Sequence, residues 1–193
     1  MKVVSKTFFV IILLCMGICA AQAAFPSPLF DILPPDGYIL EEVELDIGYT
    51  YTFYNSTDRT MGLGILIRSM KPGETLEAVM QDILGLETMP GATGDMGSMD
   101  LKKEIVPKEV DEEDRLVPKI INLRELDDQE TKRYGCDKGI YATYDYISIG
   151  IKYEMMFLQR KAKVYAVGFS LPVDKWADNA AVLRNAMLSF RLR

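Results

Sequence analysis

KGIYATYDYISIGIKYEMMFLQRKAKVYAVGFSLPVDKWADNAAVLRNAMLSF, residues 138–190, holds three alternating apolar runs and one helical stripe, and its reading decides the fold. In the first run Ile140, Ala142, Tyr144 and Tyr146 alternate with Tyr141, Thr143 and Asp145, the period of two expected when one face of a strand is buried and the other wet. Ser148 and Gly150 allow a turn. Ile151, Tyr153, Met155 and Phe157 repeat the pattern against Lys152 and Glu154, and after the basic turn at 160–163 it returns in Tyr165, Val167, Phe169 and Leu171. Three such runs make an antiparallel meander. Pro172 ends the third, Asp174 is placed to cap a helix, and Trp176, Ala180, Leu183, Met187 and Phe190 follow at helical spacing. That stripe is expected to lie on the sheet.

Upstream, Tyr49, Tyr51 and Phe53 alternate with Thr50 and Thr52, a polar turn follows at 55–59, and Leu63, Ile65 and Ile67 alternate again. This pattern predicts a hairpin. Lys71-Pro72-Gly73 closes it, Thr75 is a helix cap, and Leu76, Val79, Met80, Ile83 and Leu84 share one helical face up to Gly85, so a first helix is expected to cover the first hairpin. Between residues 87 and 98 periodicity stops around Pro90, Gly91, Gly94 and Gly97, which predicts a loop. From 101 to 132 the signal is weakest. Ile105-Val106 and residues 120–123 read as two short strands, interrupted by Pro107, Pro118 and the acidic run 111–114.

At the start of the chain Lys2 and Lys6 precede an apolar run at 8–21, and Ala21-Gln22-Ala23 offers small residues for signal peptidase. The run is about fourteen residues, where a bilayer span takes roughly twenty. Residues 1–24 therefore read as a signal peptide and 25–193 as a single α+β domain, exported to the periplasm or exterior with no membrane anchor after cleavage. The 193-residue chain has 22 basic and 28 acidic residues; removal of Lys2 and Lys6 leaves 20 basic against 28 acidic and a net charge of −8. Phosphate backbones and anionic lipids are repelled by such a chain, which argues against nucleic-acid binding.

The chain contains no histidine, which removes the Ser-His-Asp triad, the imidazole base and the usual zinc sites. Carboxylates remain as acid-base candidates at Glu41, Glu42, Glu44 and Asp46, and at Glu125, Asp127, Asp128 and Glu130, although runs of charge usually mark solvated faces. Gly62 and Gly64 lack the third glycine of a dinucleotide fingerprint. Asn55-Ser56-Thr57 fits a glycosylation sequon that matters only in a eukaryotic source. Cys15 and Cys19 leave with the signal peptide, so Cys136 is the remaining thiol. It reads either as a small buried hydrophobe or as a reactive, dimer-forming thiol whose pKa Lys132, Arg133 and Lys138 would lower. Met89, Met96 and Met99 lie in the Gly-rich loop at 87–100, and their thioethers suit Cu(I).

Asp36-Gly37-Tyr38, Lys163-Val164-Tyr165, the Leu171-Pro172 corner leading to Trp176, and Ser189-Phe190-Arg191 give the chain a layout that resembles the PsbP-like family of exported or lumenal α-β-α sandwich proteins. The resemblance implies an antiparallel sheet with amphipathic helices packed on it and a role in assembling or attaching to other proteins. It brings no catalytic residues and no cofactor. Cystatin-like and NTF2-like domains are alternative small α+β folds with the same broad pattern. The leading expectation is a non-catalytic interaction or assembly module with a protein partner in the cell envelope. A Cu(I)-binding protein using the methionine loop, and an enzyme using carboxylates or the thiol, stand as alternatives.

Overall fold

A computed structural model describes residues 25–45, 48–85 and 118–193. Residues 1–24, which the sequence reads as a signal peptide, Met89, Met96 and Met99, Ile105-Val106 and the acidic run 111–114 lie outside these described residues. Seven strands form one antiparallel sheet: β3 (Tyr38–Leu45), β4 (Gly48–Asn55), β5 (Gly62–Ser69), β6 (Lys119–Glu125), β7 (Lys138–Tyr146), β8 (Ile151–Arg160) and β9 (Lys163–Pro172). Their spatial order is β3-β4-β5-β9-β8-β7-β6. Two meanders, β3 to β5 and β6 to β9, thus meet where β5 pairs with β9. A second, three-stranded sheet joins β1 (Phe25–Pro26) and β2 (Phe30–Ile32) to β10 (Arg191–Leu192) near the far end of the chain.

Being central, β9 is buried on both faces. Val164 to Phe169 are buried without a break, where alternation in the sequence predicts one wet face. Tyr165, Val167, Phe169 and Leu171 meet helix α3 (Val173–Leu188) and the small sheet, while Val164 and Ala166 meet helix α1 (Leu76–Leu84) on the opposite side. Helix α1 begins where the Thr75 hydroxyl accepts from the Ala78 N–H at 3.2 Å and ends at Gly85, whose φ of 68° is one that glycine adopts freely. Leu76, Val79, Met80 and Leu84 form its buried face. Their burial contributes on the order of 6–12 kcal/mol before conformational entropy opposes it.

The position of α1 differs from the expectation. It packs mainly against Ile140, Ala142, Tyr144 and Phe157 of β7 and β8 and reaches the first hairpin at the end of β5, where Leu66 joins the same cluster and Arg68 pairs with Asp82 at 3.0 Å. An ion pair between Glu77, itself buried, and Lys138 of β7 holds it there. Burial pushes the Glu77 carboxyl up, but the Lys138 ammonium and backbone donors outweigh it and the net direction is down. The start of α3 also differs. Pro172 occupies the cap position without a side-chain hydrogen bond, and Asp174 sits in the first turn, where its charge still faces the positive helix end.

Two acidic stretches acquire structural roles. Glu41, Glu42 and Glu44 are exposed on β3, an edge strand, where charge discourages strand-to-strand association. Asp127 caps helix α2 (Asp128–Tyr134) and Glu130 completes a capping box with it. The turn between β4 and β5 is held in a similar local way, with Asn55 Oδ1 accepting from the Thr57 N–H at 2.9 Å and Asp58 Oδ1 accepting from the Thr60 N–H at 3.1 Å. Asp58 is also paired with Lys175 of α3.

The hydrogen bonds from Lys175 and from Thr60 hold the Asp58 carboxyl down at about 2, against an ordinary value of 3.8. A carboxyl depressed in the folded state stabilises above its unfolded pKa and loses that stabilisation as pH falls through the folded value. The loss therefore falls between about pH 4 and pH 2. Urea midpoints measured from pH 5 to pH 2 are expected to fall less steeply for Asp58→Asn than for the parent. Identical slopes would remove Asp58 from the acid response.

Candidate functional site: an open sheet face and an apolar corner

Because α1 lies over β7 and β8, the same face of β4, β5 and β9 forms an open groove of about 320 Å³. Register builds its floor. Gly62 faces Ser170, Gly64 faces Gly168 and Leu66 faces Ala166 across β5 and β9, and the period of two puts all six on one side of the sheet. Thr52 and Thr50 line one flank, and Tyr153 and Met155 of β8 the other. The paired glycines have opposite reasons for being small. A Cβ at Gly168 would meet Met155 Cγ at 2.4 Å and the Glu154 carbonyl oxygen at 2.7 Å, whereas one at Gly64 would meet nothing within 4 Å. Gly168 lets Met155 close the wall; Gly64 leaves the floor open.

The groove is polar at a few points. Thr50 Oγ1 is buried and has no hydrogen-bond partner among the described residues. Arg59 stands at the mouth, its guanidinium 4.3 Å above the Tyr54 ring and 3.6 Å from the exposed Glu41 carboxylate. Behind Tyr153 lies an aromatic cluster: its ring stacks on Tyr144 at 4.9 Å, and Tyr146 meets both rings edge-on. Burial pushes the Tyr144 and Tyr146 hydroxyls up, so both are neutral phenols, and Tyr144 donates to Met155 Sδ at 2.9 Å. These groups suit contact and hydrogen bonding rather than proton abstraction.

On the opposite face Glu154, 1% exposed, receives Arg184 of α3 in a fork with distances of 2.6–2.9 Å. Tyr141 donates to the same carboxylate, and burial followed by that bond pushes its hydroxyl up. Arg124 lies 5.0 Å over the Tyr141 ring and is itself committed to Glu130. The acids singled out by sequence are thus on an exposed edge or engaged in a cap and an ion pair, and Asp46 lies outside the described residues. Among the described residues no group of three or more Asp, Glu, Cys or His side chains converges as a metal site.

Cys136 is half-buried beside the core on the α3 side, its Sγ 3.7 Å from the Thr131 carbonyl oxygen. Burial pushes its thiol up to about 11. Lys132, Arg133 and Lys138 are neighbours in sequence, yet none governs the thiol.

An apolar corner completes the survey. The 3-10 turn at Ile147–Ile149 follows β7, and the Val173 N–H donates to the Gly150 carbonyl at 2.9 Å, bringing the start of α3 beside it. Ile147, Ile149 and Val173 are 68%, 47% and 51% exposed there. Exposed β-branched side chains gathered at one corner are the kind of surface that partners cover. Sequence alternation does not reveal it, because the turn residues belong to no strand.

No family model matches the chain, and no curated protein matches it. Among solved structures, the chain is similar to the solution structure of cyanobacterial PsbP (CyanoP) from Synechocystis, with a TM-score of 0.57 and 14% identity over 92% of this chain and 96% of that one. A Bacteroides thetaiotaomicron crystal structure aligns with a TM-score of 0.40 and 12% identity over 89% of this chain and 49% of its own. The fold is PsbP-like: a largely antiparallel sheet carrying helices, in a single domain. No helix of the described residues is long and apolar enough to cross a membrane.

Proposed function

We propose, on the premise of a PsbP-like fold, that this protein is a non-catalytic accessory module that attaches to a protein partner of the cell envelope after export. The observation that carries the reading is the exposed corner of Ile147, Ile149 and Val173. Water is a poor neighbour for three such side chains, and burying them under a partner contributes on the order of 1–2 kcal/mol each. The acidic surface adds solubility before the partner is met. Glu77, Asp127, Glu130 and Glu154, with the phenols of Tyr141, Tyr144 and Tyr146, are held in ion pairs, a helix cap and packed clusters, which supports attachment over turnover.

The test is photo-crosslinking in envelope preparations, with the photoreactive residue placed at position 147 and, as a control, at the exposed position 161. One partner is expected to be captured from 147 and not from 161, and the double change Ile147→Asp, Val173→Asp is expected to abolish co-purification with an unchanged thermal midpoint. Equal capture from both positions, or co-purification that survives the double change, would sink the proposal.

A further inference from the structure

We propose that the open groove over β4, β5 and β9 is a binding site for a small planar anion, an aromatic carboxylate with a hydroxyl or amino group at the far end of its ring. Its size is right for one ring: about 320 Å³ sits at the lower end of the range of small-molecule pockets. Its floor is right for a flat one. With no side chain on Gly62 or Gly64 a ring approaches the sheet backbone directly, between the Thr50 and Thr52 flank and the Tyr153 and Met155 flank, where Met155 lies over Gly168.

The two polar points set the chemistry. Arg59 is the cation at the mouth, and its present anionic neighbour, Glu41, is 3.6 Å away with both side chains more than half exposed. An ion pair of that kind contributes little, so a ligand carboxylate competes for the guanidinium readily and gains a forked, charge-assisted contact. The Tyr54 ring under Arg59 already orients the guanidinium plane. Thr50 is the second point. A buried hydroxyl without a partner costs free energy until something bonds to it, and Thr50 Oγ1 is in that state among the described residues. Thr52 lies opposite Glu41 of β3, the carboxylate that Arg59 approaches, and Thr50 lies two residues, about 7 Å, further along β4, a ring's length from that end of the groove. The ligand's two polar ends therefore meet Arg59 and Thr50, while the ring lies on the glycine floor.

The probes are 4-hydroxybenzoate, benzoate and non-planar cyclohexanecarboxylate, titrated into the full mature chain by calorimetry with the backbone amides of Gly62, Gly64 and Gly168 followed by NMR. Saturable one-to-one binding of 4-hydroxybenzoate is expected to shift those three amides, with benzoate weaker by about tenfold and cyclohexanecarboxylate weaker still. Arg59→Gln, on an exposed side chain, is expected to weaken binding by about tenfold. Gly64→Leu adds its side chain to open space and is expected to abolish the shifts with little change in thermal midpoint. In Thr50→Val the advantage of 4-hydroxybenzoate over benzoate should vanish. Absence of saturable shifts in the parent chain, or binding that survives Gly64→Leu and Arg59→Gln, overturns the site. Neither result bears on the apolar corner, which has its own test.

Discussion

Arg184→Ala is expected to lower the unfolding free energy by about 2–3 kcal/mol, with the urea midpoint falling and the slope unchanged. The cause lies in β8 rather than in the helix that loses the residue. Glu154 is 1% exposed and its two carboxylate oxygens are held by Arg184 Nε and Nη2. Without the guanidinium, the Tyr141 hydroxyl is what remains among the described residues to compensate a buried charge. Breaking a fully buried pair costs roughly 3–5 kcal/mol; Arg184 is 41% exposed, so water softens the loss toward the lower figure. Replacing both partners, Glu154→Leu with Arg184→Leu, is expected to recover most of the stability, because nothing charged is then left behind. A single variant within about 0.5 kcal/mol of the parent would mean the pair is not needed to hold α3 on the sheet.

The second large effect is expected at Phe30, where Phe30→Ala should cost about 3–5 kcal/mol and lower the thermal midpoint by on the order of 10 °C. Phe30 is fully buried in β2, stacked on Phe190 at 5.3 Å and edge-on to Tyr51 at 5.2 Å. Its removal opens a void where neighbouring strands cannot close, since Tyr51 belongs to the seven-stranded sheet and Phe190 is fixed by the end of α3. Phe30→Leu, which keeps most of the volume, should cost less than half as much. Equal losses from the two variants would point to backbone pairing rather than ring packing.

Much of this architecture is legible in residues 138–190, because strict alternation and a helical stripe report what each side chain faces. The Thr75 cap and Gly85 stop of α1 are legible for the same local reason. The target of α1 is not: adjacency in sequence suggests the first hairpin, while the pair Glu77 to Lys138 joins residues 61 positions apart. Glu154 reads as the wet side of an alternating strand, and only the arrival of Arg184 makes its burial tolerable. β3 hides behind its three glutamates, since an edge strand is free to be charged. Helix α2 carries a readable Asp127 to Glu130 capping box, but its seven residues include one buried side chain, Tyr134, and so show no stripe. Gly62 and Gly64 are visible as a motif that fails; their use as a floor depends on Gly168, more than a hundred residues away and paired with Gly64 only through register.

The three-stranded sheet of β1, β2 and β10 bears on the order in which the molecule is completed. Asp31 lies opposite Arg191 in the ladder, and its carboxylate accepts from Arg193, so residues near position 30 reach their final partners only once residues 191–193 have been synthesised. Phe30 must likewise wait for Phe190. A nascent chain therefore carries the aromatic strands β1 and β2 without their final partners until residues 190–193 have been added. The same wiring sets a rule for handling the protein. Removing residues 191–193, or fusing a bulky domain directly to Arg193, is expected to loosen β2, so tags belong behind a linker.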